Sequence, residues 1–69
     1  MSAIKTYREK HSLTQRELAD KLGVSQNFIS KAELGERFFS PKKATEIEKK
    51  TKGAIKRVQL RPDIFGSAP

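Results

Sequence analysis

Thr14–Leu34, TQRELADKLGVSQNFISKAEL, is the stretch that decides the fold. Its apolar residues fall into two groups at helical spacing, Leu18, Ala19 and Leu22 and then Val24, Ile29 and Ala32, with Gly23 between them. Two amphipathic helices joined by so short a connection make a helix-turn-helix. The first of them is marked twice at its start. Thr14 and Glu17 have the spacing of a capping box, in which a hydroxyl and a carboxylate each accept from an N–H that a helix start leaves unpaired. Leu13 and Leu18 stand at the two positions of a hydrophobic staple. The next helix repeats the device, with Ser25 as cap and Val24 and Ile29 as staple. Only about three residues remain between the helices. Gly23 supplies the left-handed backbone that a sharp turn there requires. The spacing predicts one helix from Thr14 to about Leu22 and another running to Leu34, stopped by Gly35.

Outward from this core, Ile4, Tyr7 and His11 recur at helical spacing, so a first helix over Ser2–Lys10, capped by Ser2, can turn one stripe inward. After the helix-turn-helix, Glu36–Ser40 is a loop holding Arg37, Phe38 and Phe39, one of the two phenylalanines being expected in the core. Ser40-Pro41 is a cap followed by a first-turn proline, opening a helix whose Ala44, Ile47 and Thr51 share a face and which Gly53 should end. The tail from Ala54 to Phe65 carries Ile55, Val58, Leu60, Ile64 and Phe65. It is apolar enough to pack, but Pro62 forbids one uninterrupted helix. A short fifth helix near Lys56–Arg61 and a small strand are rival readings of it. Residues 66–69 should fray. There is no internal repeat or low-complexity tract.

Sixty-nine residues leave room for a single small domain. The net charge of +7 points to nucleic acid or another anionic partner. It is unevenly spread: residues 1–35 carry six basic and four acidic side chains, residues 36–69 nine and four. The second half is the stronger electrostatic anchor. The absence of cysteine removes disulfides, thiolate zinc sites and cysteine nucleophiles. His11 stands alone, so no metal site is expected. No segment nears the ~20 apolar residues that cross a bilayer, and the N-terminus lacks a signal-peptide core. A soluble cytoplasmic protein of a bacterial or phage-infected cell is expected. Ser25, Ser30 and Ser40 lack a base partner, and neither a phosphate loop nor a catalytic carboxylate pair is present. Neither enzymatic activity nor a cofactor is expected.

With these residues in view, Gln15–Leu34 resembles the helix-turn-helix of the Cro/CI-like (XRE) transcription regulators. Counting Gln15 as first, Ala19 is fifth, Gly23 ninth, Val24 tenth and Ile29 fifteenth, where that family needs a small residue, a glycine and core aliphatics. SKAELGERFFSP continues the family's order of helix, glycine, basic loop and proline-started helix. Ala32 departs from it, since a bulkier apolar residue is usual there; Phe38 or Phe39 could fill the space. The run PKKATEIEKKTKGAIKRVQLRPDIFG resembles the tail of small phage Cro-type repressors and YdaS-like proteins. The resemblance implies an all-α fold, a small four- to five-helix bundle of the lambda-repressor-like DNA-binding type.

It also implies roles for particular side chains. The major groove is the DNA surface on which all four base pairs can be told apart, and a helix N-terminus fits into it. Ser25, Gln26, Asn27, Ser30 and Lys31 would face bases there. Gln26 and Asn27 match the donor and acceptor of adenine's edge, and Lys31 can donate to guanine. Gln15, with Arg16 beside it, stands at a helix start suited to a phosphate. Arg37, Lys42 and Lys43 would neutralise the neighbouring backbone. Phe28 reads first as core packing, with a thymine methyl or a dimer contact as rivals. Lys49, Lys50, Lys52, Lys56 and Arg57 read first as solvated surface. The implied function is a sequence-specific double-stranded DNA-binding repressor of phage Cro type, acting on a pseudo-palindromic operator as a homodimer. The rival is an antitoxin-like protein-interaction module, its apolar tail at Ile64 and Phe65 capturing a toxin partner.

Overall fold

The computed structural model describes residues 2–66. Among them the chain is all-α, with six helices and no strand: α1 (Ala3–Lys10), α2 (Gln15–Leu22), α3 (Gln26–Glu33), α4 (Pro41–Lys50), α5 (Arg57–Leu60) and α6 (Pro62–Phe65). Packing groups them into two compact units that part between Arg37 and Phe38.

In the first unit every helix starts on a side-chain cap. Ser2 Oγ accepts from the Lys5 N–H at 3.3 Å. The capping box is complete: Glu17 N–H donates to Thr14 Oγ1 at 3.0 Å and Thr14 N–H to Glu17 Oε1 at 2.8 Å. Ser25 Oγ accepts from the Phe28 N–H at 3.1 Å. Helices of eight residues are marginal in isolation, so these caps matter to their survival. Packing supplies the rest. Both α1 and α2 pack on α3. Ile4, Tyr7, Leu18, Ala19, Leu22 and Ile29 are buried. His11 does not join the inward stripe. It is the exposed C-cap of α1, its ring 4.3 Å from that of Tyr7, because the left-handed residue that follows carries the chain away from the helix axis. Ala32 is only partly covered.

The helix ends close alike. The N–H two residues beyond the cap returns to the carbonyl five back: Leu13 to Arg8 at 2.9 Å, Glu36 to Lys31 at 2.9 Å and, in the second unit, Gly53 to Glu48 at 2.8 Å. Val24 N–H likewise reaches Ala19 O at 3.0 Å. Each closure needs one left-handed residue. Gly23 (φ 72°) and Gly35 (φ 78°) supply it without strain, whereas Ser12 (φ 54°) and Lys52 (φ 53°) carry a side chain there. At the end of α4 Lys52 and Gly53 (φ 83°) are both left-handed, so the turn begins one residue before the glycine expected to end the helix. Ser12→Gly should raise stability by about 0.5 kcal/mol. Relief of left-handed strain, roughly 1–2 kcal/mol, exceeds the added freedom of the unfolded chain. Urea midpoints of the two proteins test this, and an equal or lower midpoint for the variant would contradict it.

In the second unit Ser40 Oγ caps α4 through the Lys43 N–H at 3.2 Å, with Pro41 in the first turn. Ala44, Ile47 and Thr51 form the expected buried face. Thr51 does more than fill space. Its hydroxyl donates to Ile47 O at 2.8 Å and accepts from the Ile55 N–H at 3.1 Å, fastening the tail to the end of α4. Glu48 Oε1 takes the Arg57 N–H at 2.8 Å at the start of α5. The tail is thus helical rather than a strand. Ile55 and Leu60 are buried, and Pro62 opens a separate turn, making the fifth helix shorter than expected and adding a sixth. Arg61 reaches Phe39 O at 3.0 Å and pairs with Asp63 at 2.7 Å, a bond that holds the Asp63 carboxyl below its ordinary range. Of the two adjacent phenylalanines Phe39 is buried and Phe38 is 66% exposed. Gly66 is exposed; the remainder of the segment expected to fray lies outside the described residues.

Candidate nucleic-acid interface

The site begins with the turn. Gly23, Val24 and Ser25 separate α2 from α3, and Ser25 both ends the turn and caps α3. At 3.6 residues per turn, Gln26 and Ser30 stack on one line of α3 and Asn27 and Lys31 on the next. Ile29 and Ala32 lie on the opposite side. Gln26 and Asn27 are exposed, and Ser30 and Lys31 are half-covered a turn further along. Four of the five base-reading candidates, Gln26, Asn27, Ser30 and Lys31, therefore form a polar strip along an anchored helix. Ser25 itself is exposed; its oxygen serves the cap and its O–H remains a donor.

The starts of α2 and α3 share a further property. Caps and main-chain carbonyls occupy the N–H groups of Glu17, Leu18, Phe28 and Ile29. The N–H groups of Gln15, Arg16, Gln26 and Asn27 meet no acceptor among the described hydrogen bonds. Each helix thus presents two donors at the positive end of its dipole. Arg16 and Arg37 are exposed and have no carboxylate partner among the described ion pairs. Lys42 and Lys43 belong to the second unit, on the first turn of α4; Lys42 is exposed, and Lys43 lies 3.4 Å from Glu46. Phe28 is half-buried.

Gln15 is oriented in a way its sequence position does not reveal. Its amide nitrogen donates inward to Glu33 Oε1 at 3.2 Å. Arg8 binds the same carboxylate with Nε at 2.6 Å and Nη2 at 3.1 Å, and gives Nη1 to Leu13 O at 3.2 Å. Only 6% of the Glu33 side chain is exposed. Burial opposes its charge, but the bonds from Arg8 and Gln15 outweigh that effect and hold its carboxyl below the ordinary glutamate range. The bond to Glu33 correspondingly raises the affinity of Arg8 for its proton. Three elements thus meet on one carboxylate: α1, the start of α2 and the end of α3. Arg8 and Glu33 escaped sequence reasoning because 25 residues separate them and no short motif contains both.

The sequence model of one family, described as bacterial toxin YdaS, matches residues 14–69. The chain belongs to the YdaS family. The YdaS match opens on the capping box at Thr14 and takes in the whole helix-turn-helix and the second unit, so Gln15 and Glu33 lie inside it and Arg8, on α1, outside. As the sequence resemblance to YdaS-like proteins implied, this is a small helix-turn-helix type of protein. Neither the curated proteins nor the solved structures gave a match. Among the described residues no helix is long and apolar enough to cross a membrane.

Proposed function

We propose that this YdaS-family chain is a sequence-specific double-stranded DNA-binding repressor of phage Cro type, which inserts α3 into the major groove of its operator. The observation that carries the reading is the polar strip of Gln26, Asn27, Ser30 and Lys31, exposed at its first two residues, on a capped helix whose other side is anchored by fully buried Ile29. Amide side chains at a rigid helix N-terminus match base edges in that groove. The paired free N–H groups at the start of α2, with Arg16 and Arg37, suit phosphates beside it. Repression then needs occupancy alone, and no catalysis. The chain works in the cytoplasm, and a homodimer on a pseudo-palindromic operator places two recognition helices about 34 Å apart.

A footprint over DNA flanking the chain's own gene tests this. Two protected half-sites about one helical turn apart are expected. Uniform protection of any duplex would instead indicate non-specific coating. Gln26→Ala or Asn27→Ala should weaken operator binding by about 1–3 kcal/mol and relax preference at one base pair, leaving random DNA affected little. Equal loss on all sequences, measured by titration of operator variants, would remove these residues from base reading.

A second reading has one observation of its own. Ile64 is 47% exposed in the tail, although Phe65 is half-buried with the Arg57 guanidinium 5.1 Å from its ring. An antitoxin-like module could use Ile64 to hold a protein partner. No retardation of any duplex at low salt, together with co-purification of a neighbour-encoded protein, would favour it.

A further inference from the structure

We infer that Lys49, Lys50, Lys52 and Lys56, at the C-terminal end of α4 and the start of α5, form a separate surface that binds the phosphate backbone of duplex DNA without reading its sequence. The inference rests on the DNA-binding reading above and adds a second contact to it, in the second unit.

The electrostatic accounting is local. The described carboxylates of the second unit are Glu46, Glu48 and Asp63, and each already has a cation: Lys43 at 3.4 Å, Arg57 at 4.0 Å and Arg61 at 2.7 Å. Glu48 is further occupied by the Arg57 N–H. Lys49, Lys50, Lys52 and Lys56 have no counter-charge among the described ion pairs, and all four are exposed. Four unneutralised charges therefore fall within eight residues.

Structural duty explains half of the cluster. Cations in the last turn of a helix complement its dipole, which accounts for Lys49 and Lys50. It does not account for Lys52, which holds a left-handed conformation at φ 53° that glycine would adopt freely. Nor does it account for Lys56, which lies six residues beyond the end of α4. An external polyanion relieves the mutual repulsion of these four unneutralised ammonium groups.

The surface suits a duplex better than a bilayer. Between Lys49 and Arg57 the apolar residues are Ala54 and Ile55, and Ile55 is fully buried, so no large side chain is offered to a lipid interior. Compact ammonium groups on long stems act as point charges, which gives affinity for phosphate without register. The cluster is also distinct from Lys42 and Lys43, which sit at the opposite end of α4, roughly 10 Å away along its axis.

The test compares the wild-type chain, Lys49→Gln/Lys50→Gln/Lys52→Gln/Lys56→Gln and Gln26→Ala/Asn27→Ala for binding to the footprinted operator and to a random duplex over a range of salt, with circular dichroism to verify folding. Each lost phosphate contact lowers the slope of log K against log salt by about 0.9. The lysine variant should lose about 2–4 in slope and at least tenfold in affinity at low salt, equally on both duplexes. The Gln26→Ala/Asn27→Ala protein should keep the wild-type slope. Unchanged slope and random-duplex affinity in the lysine variant overturn the proposal while leaving operator recognition standing. A lysine-dependent slope with no operator preference supports it and defeats the repressor reading. Absence of wild-type binding to either duplex, or tighter binding to phosphatidylserine-containing vesicles than to DNA, overturns it as well.

Discussion

Ile29→Ala is expected to lower the unfolding free energy by about 3 kcal/mol. Ile29 is completely buried on α3, which packs on α2, and Leu18 and Leu22 of α2 are equally buried. The substitution removes three carbons, worth roughly 2.4 kcal/mol by transfer, and leaves a cavity that short, capped helices can close only in part. For a chain of this length total stability is roughly 3–10 kcal/mol, so the loss is a large share of it. Urea unfolding measures the effect directly, and a loss below about 1 kcal/mol would mean that α3 is not anchored through this side chain. The consequence for DNA separates anchoring from reading. Apparent affinity should fall with the folded fraction, while the order of preference among operator variants should persist. Gln26→Ala should do the reverse, with folding intact and preference changed.

Arg8→Ala is the second large effect, about 2–3 kcal/mol of destabilisation. Removing the guanidinium leaves the Glu33 carboxylate, 6% exposed, with Gln15 as its remaining side-chain donor. Fully buried pairs lose roughly 3–5 kcal/mol when one partner is deleted; here 18% of the Arg8 side chain meets solvent, which reduces the figure. Adding Glu33→Gln should recover a good part of the loss, because an amide needs no counter-charge. The pH dependence carries its own sign. Glu33 titrates below its ordinary value of about 4.3 in the folded chain, so its contribution is present above that value and is lost as pH falls through the lowered one. In Arg8→Ala the carboxyl is buried without its charged partner, and protonation relieves it. The stability gap between variant and wild type should therefore narrow on acidification. A gap independent of pH between about 3 and 7 would show that the loss comes from packing of the arginine stem rather than from charge.

The same carboxylate links stability to the proposed recognition surface. Glu33 closes α3 two residues beyond Lys31 and holds the Gln15 amide at the start of α2, so the helix proposed to read bases and the helix start proposed to meet phosphate share a fastening. Gln15 thus has two duties. Its amide nitrogen works inward, and its main-chain N–H, together with that of Arg16, serves the proposed phosphate contact. A sequence shows the residue type suited to the second duty, and nothing in its immediate neighbourhood reveals the first.

What was legible in the chain were devices that close within about five residues. Thr14 with Glu17, Ser25 with Phe28, Ser40 with Lys43 and the left-handed Gly23 each join groups that local chain geometry alone brings together. They determined by themselves where α2, α3 and α4 start and how α2 turns into α3. The polar strip on α3 was equally legible, because helical periodicity sets which side chains share a side. Tertiary structure alone decided the rest. Phe38 and Phe39 are chemically identical neighbours, and only packing put Phe39 inside. The short helices of residues 54–65 start on Lys56 and Arg61, whose own side chains cap neither, so their helical course depends on Glu48 binding Arg57 across nine residues and Arg61 reaching back 22 residues to Phe39. Arg8 and Glu33 meet across 25 residues for the same reason: a bond between distant residues forms only after the folded chain has met the entropy of bringing them together, and no local pattern records that outcome.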